Sequence, residues 1–137
     1  MIAAVCVDKR NGMSFNGRRV SRDRGQMADL LARCGGRRLW AAPMSAGLLA
    51  GADAAIVEEP LAQAAAGDVC FVEQPPHPRW PDRVEQLWVY RWERTYPADT
   101  WLDLAGFRLE ETAQVEGTSH PCITLEIYRR KDRHGNA

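Results

Sequence analysis

From its second residue the chain runs apolar for six positions, Ile2 to Val7, and the charged Asp8 ends the run. An unbroken apolar run of this length reads as a strand covered on both faces, and such a strand belongs in the middle of a sheet. The stretch Asp8 to Gly25 is polar and punctuated by glycine, and is expected to be loop. Met27, Leu30, Leu31 and Cys34 then recur at i, i+3, i+4 and i+7 before Gly35-Gly36, the pattern of an amphipathic helix with a left-handed stop. Arg38 to Ala42 reads as a short strand, Pro43 to Leu49 as a helix with proline in its first turn, and Ala54 to Val57 as another short strand. Pro60 opens an alanine-rich helix to Ala66, and Val69 to Val72 is a further buried strand. Strands alternating with helices predict a mainly parallel central sheet flanked by helices.

The rhythm breaks after Val72. Pro75, Pro76, Pro78 and Pro81 forbid a regular helix where the next crossover is due, so an irregular connection must stand there. Leu87 to Trp92 resumes as a strand with Trp88, Tyr90 and Trp92 on one face. That aromatic face belongs on the core, or on a second copy of the chain where few helices remain to cover it, which makes a homo-oligomer the partner expected from this feature. Phe107 to Val115 and Ile123 to Tyr128 read as a terminal antiparallel pair joined by the loop Gly117 to Pro121. The expected organisation is one domain over 1–130 and a flexible tail over 131–137.

Composition narrows the function classes. The chain has 137 residues, and its 18 basic and 18 acidic side chains cancel, so no overall field favours nucleic acid or an anionic membrane. The six-residue apolar start is too short for a signal peptide core or a membrane span, and a cytoplasmic protein is expected. Cys6, Cys34, Cys70 and Cys122 are far apart and form no C-x-x-C pair, which favours free thiols over disulfides or zinc. His77, His120 and His134 are equally scattered and read as loop or cap residues, leaving no metal site. Arg18, Arg19, Arg22 and Arg24 crowd the segment before the first helix and form the candidate anion contact, with a solvated basic face as the alternative.

The order of these elements, with MIAAVCVD, GMSFNG, MADLLARC, GGRRLWAAPMSAGLL, LWVYRWERTYPADTWLDL and SHPCITLEIYRR, resembles dihydrofolate reductase over nearly the whole chain. The resemblance implies that family's α/β fold with C-terminal antiparallel strands, and a trimmed cofactor side. It also implies which functional parts have changed. Gln26 falls where the family carries the buried carboxylate that binds and helps protonate the pteridine, and an amide cannot carry that proton or charge. Asp23 lies three residues away; it is a substitute acid only if the loop shifts, and otherwise a surface-loop or helix-cap residue. Ala42-Pro43-Met44-Ser45 replaces the family's phosphate-contacting G-R-x-T turn, and Glu73-Gln74 replaces its Gly-Gly pair. The proline-rich stretch stands in for the helix whose N-terminus faces the pyrophosphate. The segments CVD, SRDR, RLW, YRW and YPAD are also similar to short clostridial-type proteins, some labelled ribonuclease Z, but the H-x-H-x-D-H signature of zinc-dependent tRNA-processing nucleases is absent.

The reading that follows is a non-catalytic, reductase-like domain that binds a small molecule or a protein and holds no NADPH. Its ligand cleft is expected among Val5, Gln26, Met27, Leu30 and Tyr90. The alternative is a divergent enzyme, either a pteridine reductase or a hydrolase of phosphate-bearing substrates such as RNA, using the arginine segment.

Overall fold

The structure, a computed structural model, describes residues 1–131. The first apolar run forms β1 (Ile2–Val7), and a second strand and a third, β2 (Gly12–Phe15) and β3 (Arg18–Arg19), follow before helix α1 (Arg24–Cys34). Then come β4 (Leu39–Ala41), a 3-10 helix (Pro43–Leu49), β5 (Ala54–Ile56), the single-turn helix α2 (Pro60–Gln63) and β6 (Val69–Phe71). The second half is all strand: β7 (Gln86–Arg91), β8 (Thr100–Trp101), β9 (Phe107–Val115) and β10 (Ile123–Arg130). Seven strands form one sheet in the order β5-β4-β6-β1-β7-β10-β9, parallel from β5 to β7 and antiparallel from there to β9.

The central place of β1 follows from its composition. Ile2 and Ala4 face the side covered by α1, where Met27, Leu30 and Cys34 pack with Leu49. Ala3, Val5 and Val7 face the other side, with Met13, Val84 and Leu102. A strand buried on both faces can carry no polar side chain at these positions, which is why the alternation of apolar and polar residues is missing. The aromatic ladder of β7 also resolves here: Trp88, Tyr90 and Trp92 are core residues on the α1 side.

Two expectations need correction. The helix from Pro60 spans one turn instead of reaching Ala66, because Ala65, Gly67 and Asp68 close a turn in which Asp68 accepts the Ala65 N–H at 2.9 Å and Trp40 Nε1 at 2.8 Å. The segment from Asp8 to Gly25 is not all loop, since β2 pairs with β3 and with β8 in a separate small sheet. That sheet is hung from Asp8, which is buried and accepts the N–H groups of Arg10, Gly12 and Tyr96. Ser14 ties it inward through Gln74 at 2.9 Å and through Thr100. Of the expected tail over 131–137, only Lys131 lies within the described residues, and its N–H donates to the Gly106 carbonyl.

The proline-rich connection covers the second face with side chains instead of a helix. Trp80 and Val84 are buried there against the β1 and β7 residues Val5, Leu87 and Val89. Trp80→Ala should therefore destabilise the domain by about 3–5 kcal/mol, the cost of deleting a large buried aromatic. Urea unfolding followed by far-UV circular dichroism checks this, and a loss under about 1 kcal/mol would mean that the connection is a surface strap and not part of the core.

Candidate functional site

Helix α1 begins at Asp23, whose extended backbone suits an N-cap and whose side chain accepts the Gln26 N–H at 3.0 Å. The same carboxylate reaches across the chain to the turn before β10. It accepts the N–H groups of Thr118 at 2.9 Å, Ser119 at 2.6 Å and His120 at 2.8 Å, with the His120 ring Nδ1 at 3.3 Å. Two glycines allow the turn to lie so close. A Cβ on Gly25 would sit 2.5 Å from the Glu116 carbonyl, and one on Gly117 would overlap the His120 carbonyl. Burial by itself pushes the Asp23 carboxyl pKa up, but the N–H groups of Thr118, Gln26, His120 and Ser119 outweigh it and hold the group well below its ordinary value of 3.8.

His120 is buried, stacked on Trp92 with ring centroids 4.3 Å apart. Its Nδ1 faces the Asp23 carboxylate, and its Nε2 is hydrogen-bonded with Ser21 Oγ at 3.0 Å and Tyr96 Oη at 2.8 Å. Asp23, His120 and Ser21 thus stand in the line that an acyl-transfer triad requires. The rest of that machinery is spent: the three successive N–H groups of the turn, the natural donors for an oxyanion, all point at Asp23. The nearby Cys6 is no substitute nucleophile. Burial, then the Glu73 and Asp23 carboxylates, raise its thiol well above the ordinary value against a smaller opposing effect of Arg19.

The C-terminal ends of β1, β4 and β6 open onto the place where α/β sheets hold ligands. Here an ion pair divides it. Arg19 Nε meets Glu73 Oε1 at 2.6 Å and Arg19 Nη2 meets Oε2 at 2.9 Å, while Ser45 Oγ donates to Oε2 at 2.8 Å and the Met44 carbonyl accepts from Nη2. On one side lies a cavity of about 200 Å³ whose lining includes Ala42, Met44, Phe71 and three carboxylates, Glu58, Glu59 and Glu73. On the other lies a cleft of about 460 Å³ lined by Arg19, Ser21, Arg22, Arg94, Tyr96, Ser119 and His120. Arg22 and Ser119 also line a groove of about 600 Å³ between α1 and the 3-10 helix, whose apolar wall is Met27, Leu31 and Leu48. Among the described residues no three His, Cys, Asp or Glu side chains are gathered to hold a metal.

The residues expected to form a pteridine cleft are brought together only in part. Gln26, Met27, Leu30 and Tyr90 share the α1 side of the sheet, but Gln26, Leu30 and Tyr90 are packed shut. Tyr90 Oη donates to Asp29 at 2.6 Å, and Gln26 Nε2 is buried without a hydrogen-bond partner among the described residues. Val5 points to the opposite face, because side chains alternate along β1, and Cys6 occupies the α1 side in its place. Only Met27 reaches an open groove. Of the four arginines, Arg19 is committed to Glu73, Arg22 lines both open clefts, Arg24 lines the groove, and Arg18 is exposed on β3. Sequence reasoning missed His120, Ser21, Tyr96 and Arg94 as site residues. Their one signal was the Ser119-His120 pair, which reads in sequence as an ordinary loop. His134 lies outside the described residues.

No protein-family model matches the chain, and no curated protein matches it in sequence. Among solved structures it is similar to dihydrofolate reductase from Enterococcus faecalis complexed with NADP(H) and RAB-propyl, with a TM-score of 0.63 over 96% of this chain and 97% of that one at 12% sequence identity. The chain therefore has a dihydrofolate reductase-like fold.

Asp23 yields the first test. Because its pKa is lower folded than unfolded, its stabilisation is full above the unfolded value and is lost as pH falls from about 5 toward the folded value. Asp23→Asn keeps the shape of the cap but removes the charge from four backbone donors, and should cost about 2–4 kcal/mol at neutral pH. The variant should also lose part of the acid-dependent slope, as urea midpoints at about pH 7, 5 and 3.5 will show; an unchanged slope excludes the carboxylate as its source. The thiols yield another. Burial pushes Cys70 up to about 12 and raises Cys34, whereas Cys122 is exposed. Iodoacetamide should modify Cys122 alone in the native protein and all four cysteines in urea, read by intact mass; native labelling of Cys6 ahead of Cys122 would contradict the assignment.

Proposed function

We propose that this chain is a small-ligand-binding domain on a dihydrofolate reductase-like fold, without nicotinamide-dependent hydride transfer. The observation that carries the reading is the Arg19–Glu73 ion pair, which divides the strand-end crevice and sets carboxylates on one side and the groove beside α1 on the other. A dinucleotide on the carboxylate side would bring phosphate charge against Glu58, Glu59 and Glu73, and would compete with Glu73 for Arg19 and Ser45. Hydride transfer needs the nicotinamide held over the substrate, and these residues do not fit that cofactor.

The floor supports the same conclusion. Gln26 is 1% exposed and stands in the first turn of α1, where its amide neither gains nor gives up a proton. Asp23, the acid at the N-cap of this helix, is committed to the cap and to the turn over 118–120, so it is not available to protonate a ligand. The groove beside α1 has an apolar wall, Met27, Leu31 and Leu48, and a polar end at Arg22, Asp23, Arg24 and Ser119. Such a groove with a few polar groups at one end suits a compact aromatic or apolar body.

Thermal shift with NADPH, dihydrofolate and methotrexate tests the cofactor half of this reading. NADPH at about 1 mM should leave the melting temperature unchanged, since stabilisation rises with the ratio of ligand to dissociation constant; a concentration-dependent rise, or oxidation of NADPH with dihydrofolate, would revive the reductase. The groove half is tested by the neutral probe 2-naphthol in NMR titration. Shifts should centre on Met27, Leu31 and Leu48 and vanish in Leu48→Asp, whereas shifts elsewhere would place the ligand outside the groove.

A further inference from the structure

The cleft beside the groove is built for an anion. Its seven lining residues include three arginines, and no carboxylate opens into it. Asp23, beneath His120, has its side chain fully buried and its oxygens occupied by N–H groups from Gln26, Thr118, Ser119 and His120. Arg19 is already neutralised by Glu73. Arg22 has no ion-pair or hydrogen-bond partner among the described residues, and Arg94 has only Glu93, at 3.6 Å.

The neutral groups complete the picture. Ser21, Tyr96 and Ser119 bring hydroxyls from three separate segments, and the buried His120 forms the floor with Nε2 turned to two of them. Arg22, Arg94 and the Ser119 hydroxyl come from three separate segments, and two guanidiniums meeting one anion favour the higher charge and extra acceptor oxygens of a phosphate over a carboxylate. The guanidinium of Arg22 also lines the apolar groove, so one ligand can lie across both.

We propose that the cleft of Ser21, Arg22, Arg94, Tyr96, Ser119 and His120 binds the phosphate of a phosphate monoester whose aromatic or apolar body lies in the α1 groove. The position of the body rests on the small-ligand reading given above; the phosphate site does not.

Calorimetric and NMR titrations at constant ionic strength, with three probes, keep the two apart. 2-Naphthyl phosphate should bind more tightly than 2-naphthol, with shifts at Arg22, Arg94, Tyr96 and Ser119. Arg22→Ala should weaken it about tenfold, the loss of one charge-assisted contact, while Arg18→Ala, an exposed arginine of the same segment outside the cleft, should change it less than about twofold. Inorganic phosphate that perturbs Arg22 and Arg94 while 2-naphthol binds nowhere would uphold the phosphate site and sink the groove. Equal affinity for 2-naphthol and its phosphate, or equal losses in the two arginine variants, would overturn the phosphate site and leave the groove standing.

Discussion

A single buried carboxylate holds the two ends of this fold together. Asp23 caps α1 and receives the turn that leads into β10, so the first helix and the last strand are fixed by one charge. Burying a carboxylate is costly unless its charge is met by donors, and here backbone N–H groups supply them without side-chain entropy. Everything around the site inherits that geometry. The turn cannot relax from Asp23 without releasing His120, whose ring sits between Trp92, Tyr96 and Ser21. The same saturation decides the chemistry, since amides committed to a resident carboxylate cannot serve a transient oxyanion.

The second constraint is the Arg19–Glu73 pair. Two ions this close, with Glu73 nearly buried, are justified energetically only when both are well hydrogen-bonded, and Ser45 and the Met44 carbonyl complete the set. The pair acts as a wall between regions of opposite charge: carboxylates line the cavity behind it, and guanidiniums line the cleft in front. Opening the wall would leave a largely buried carboxylate without its counter-ion. The crevice that the fold provides at its strand ends is thus divided by charge.

The fold was legible where residues are long-period and strongly apolar. Ile2–Val7 reads as a central strand because nothing polar interrupts it, and the helix of Met27, Leu30 and Cys34 follows from spacing alone. The small sheet of β2, β3 and β8 escaped because its strands are two to four residues long and its anchor, Asp8, looks like a turn residue until its three N–H partners are seen. The site was legible in part. Gln26 and Glu73 stand out when set beside a related pattern, but the contact between Asp23 and His120 spans 97 positions and leaves no local trace. Val5 was misplaced for a simple reason: an apolar run shows no alternation, so the face to which each residue points is decided only by the partner strands.

The identity of residue 26 now has a physical sense. The floor near Cys6 already lies in the field of Glu73 and Asp23, and a third carboxylate at position 26 would be buried in the first turn beside a cap that is itself ionised. Like charges so placed cannot all ionise, and one would take up a proton. An amide at position 26 carries no charge, which leaves Asp23 free to stay ionised as a structural anchor. The floor at Gln26 is neutral and shut, whereas at the rim Arg22 and Arg94 meet solvent.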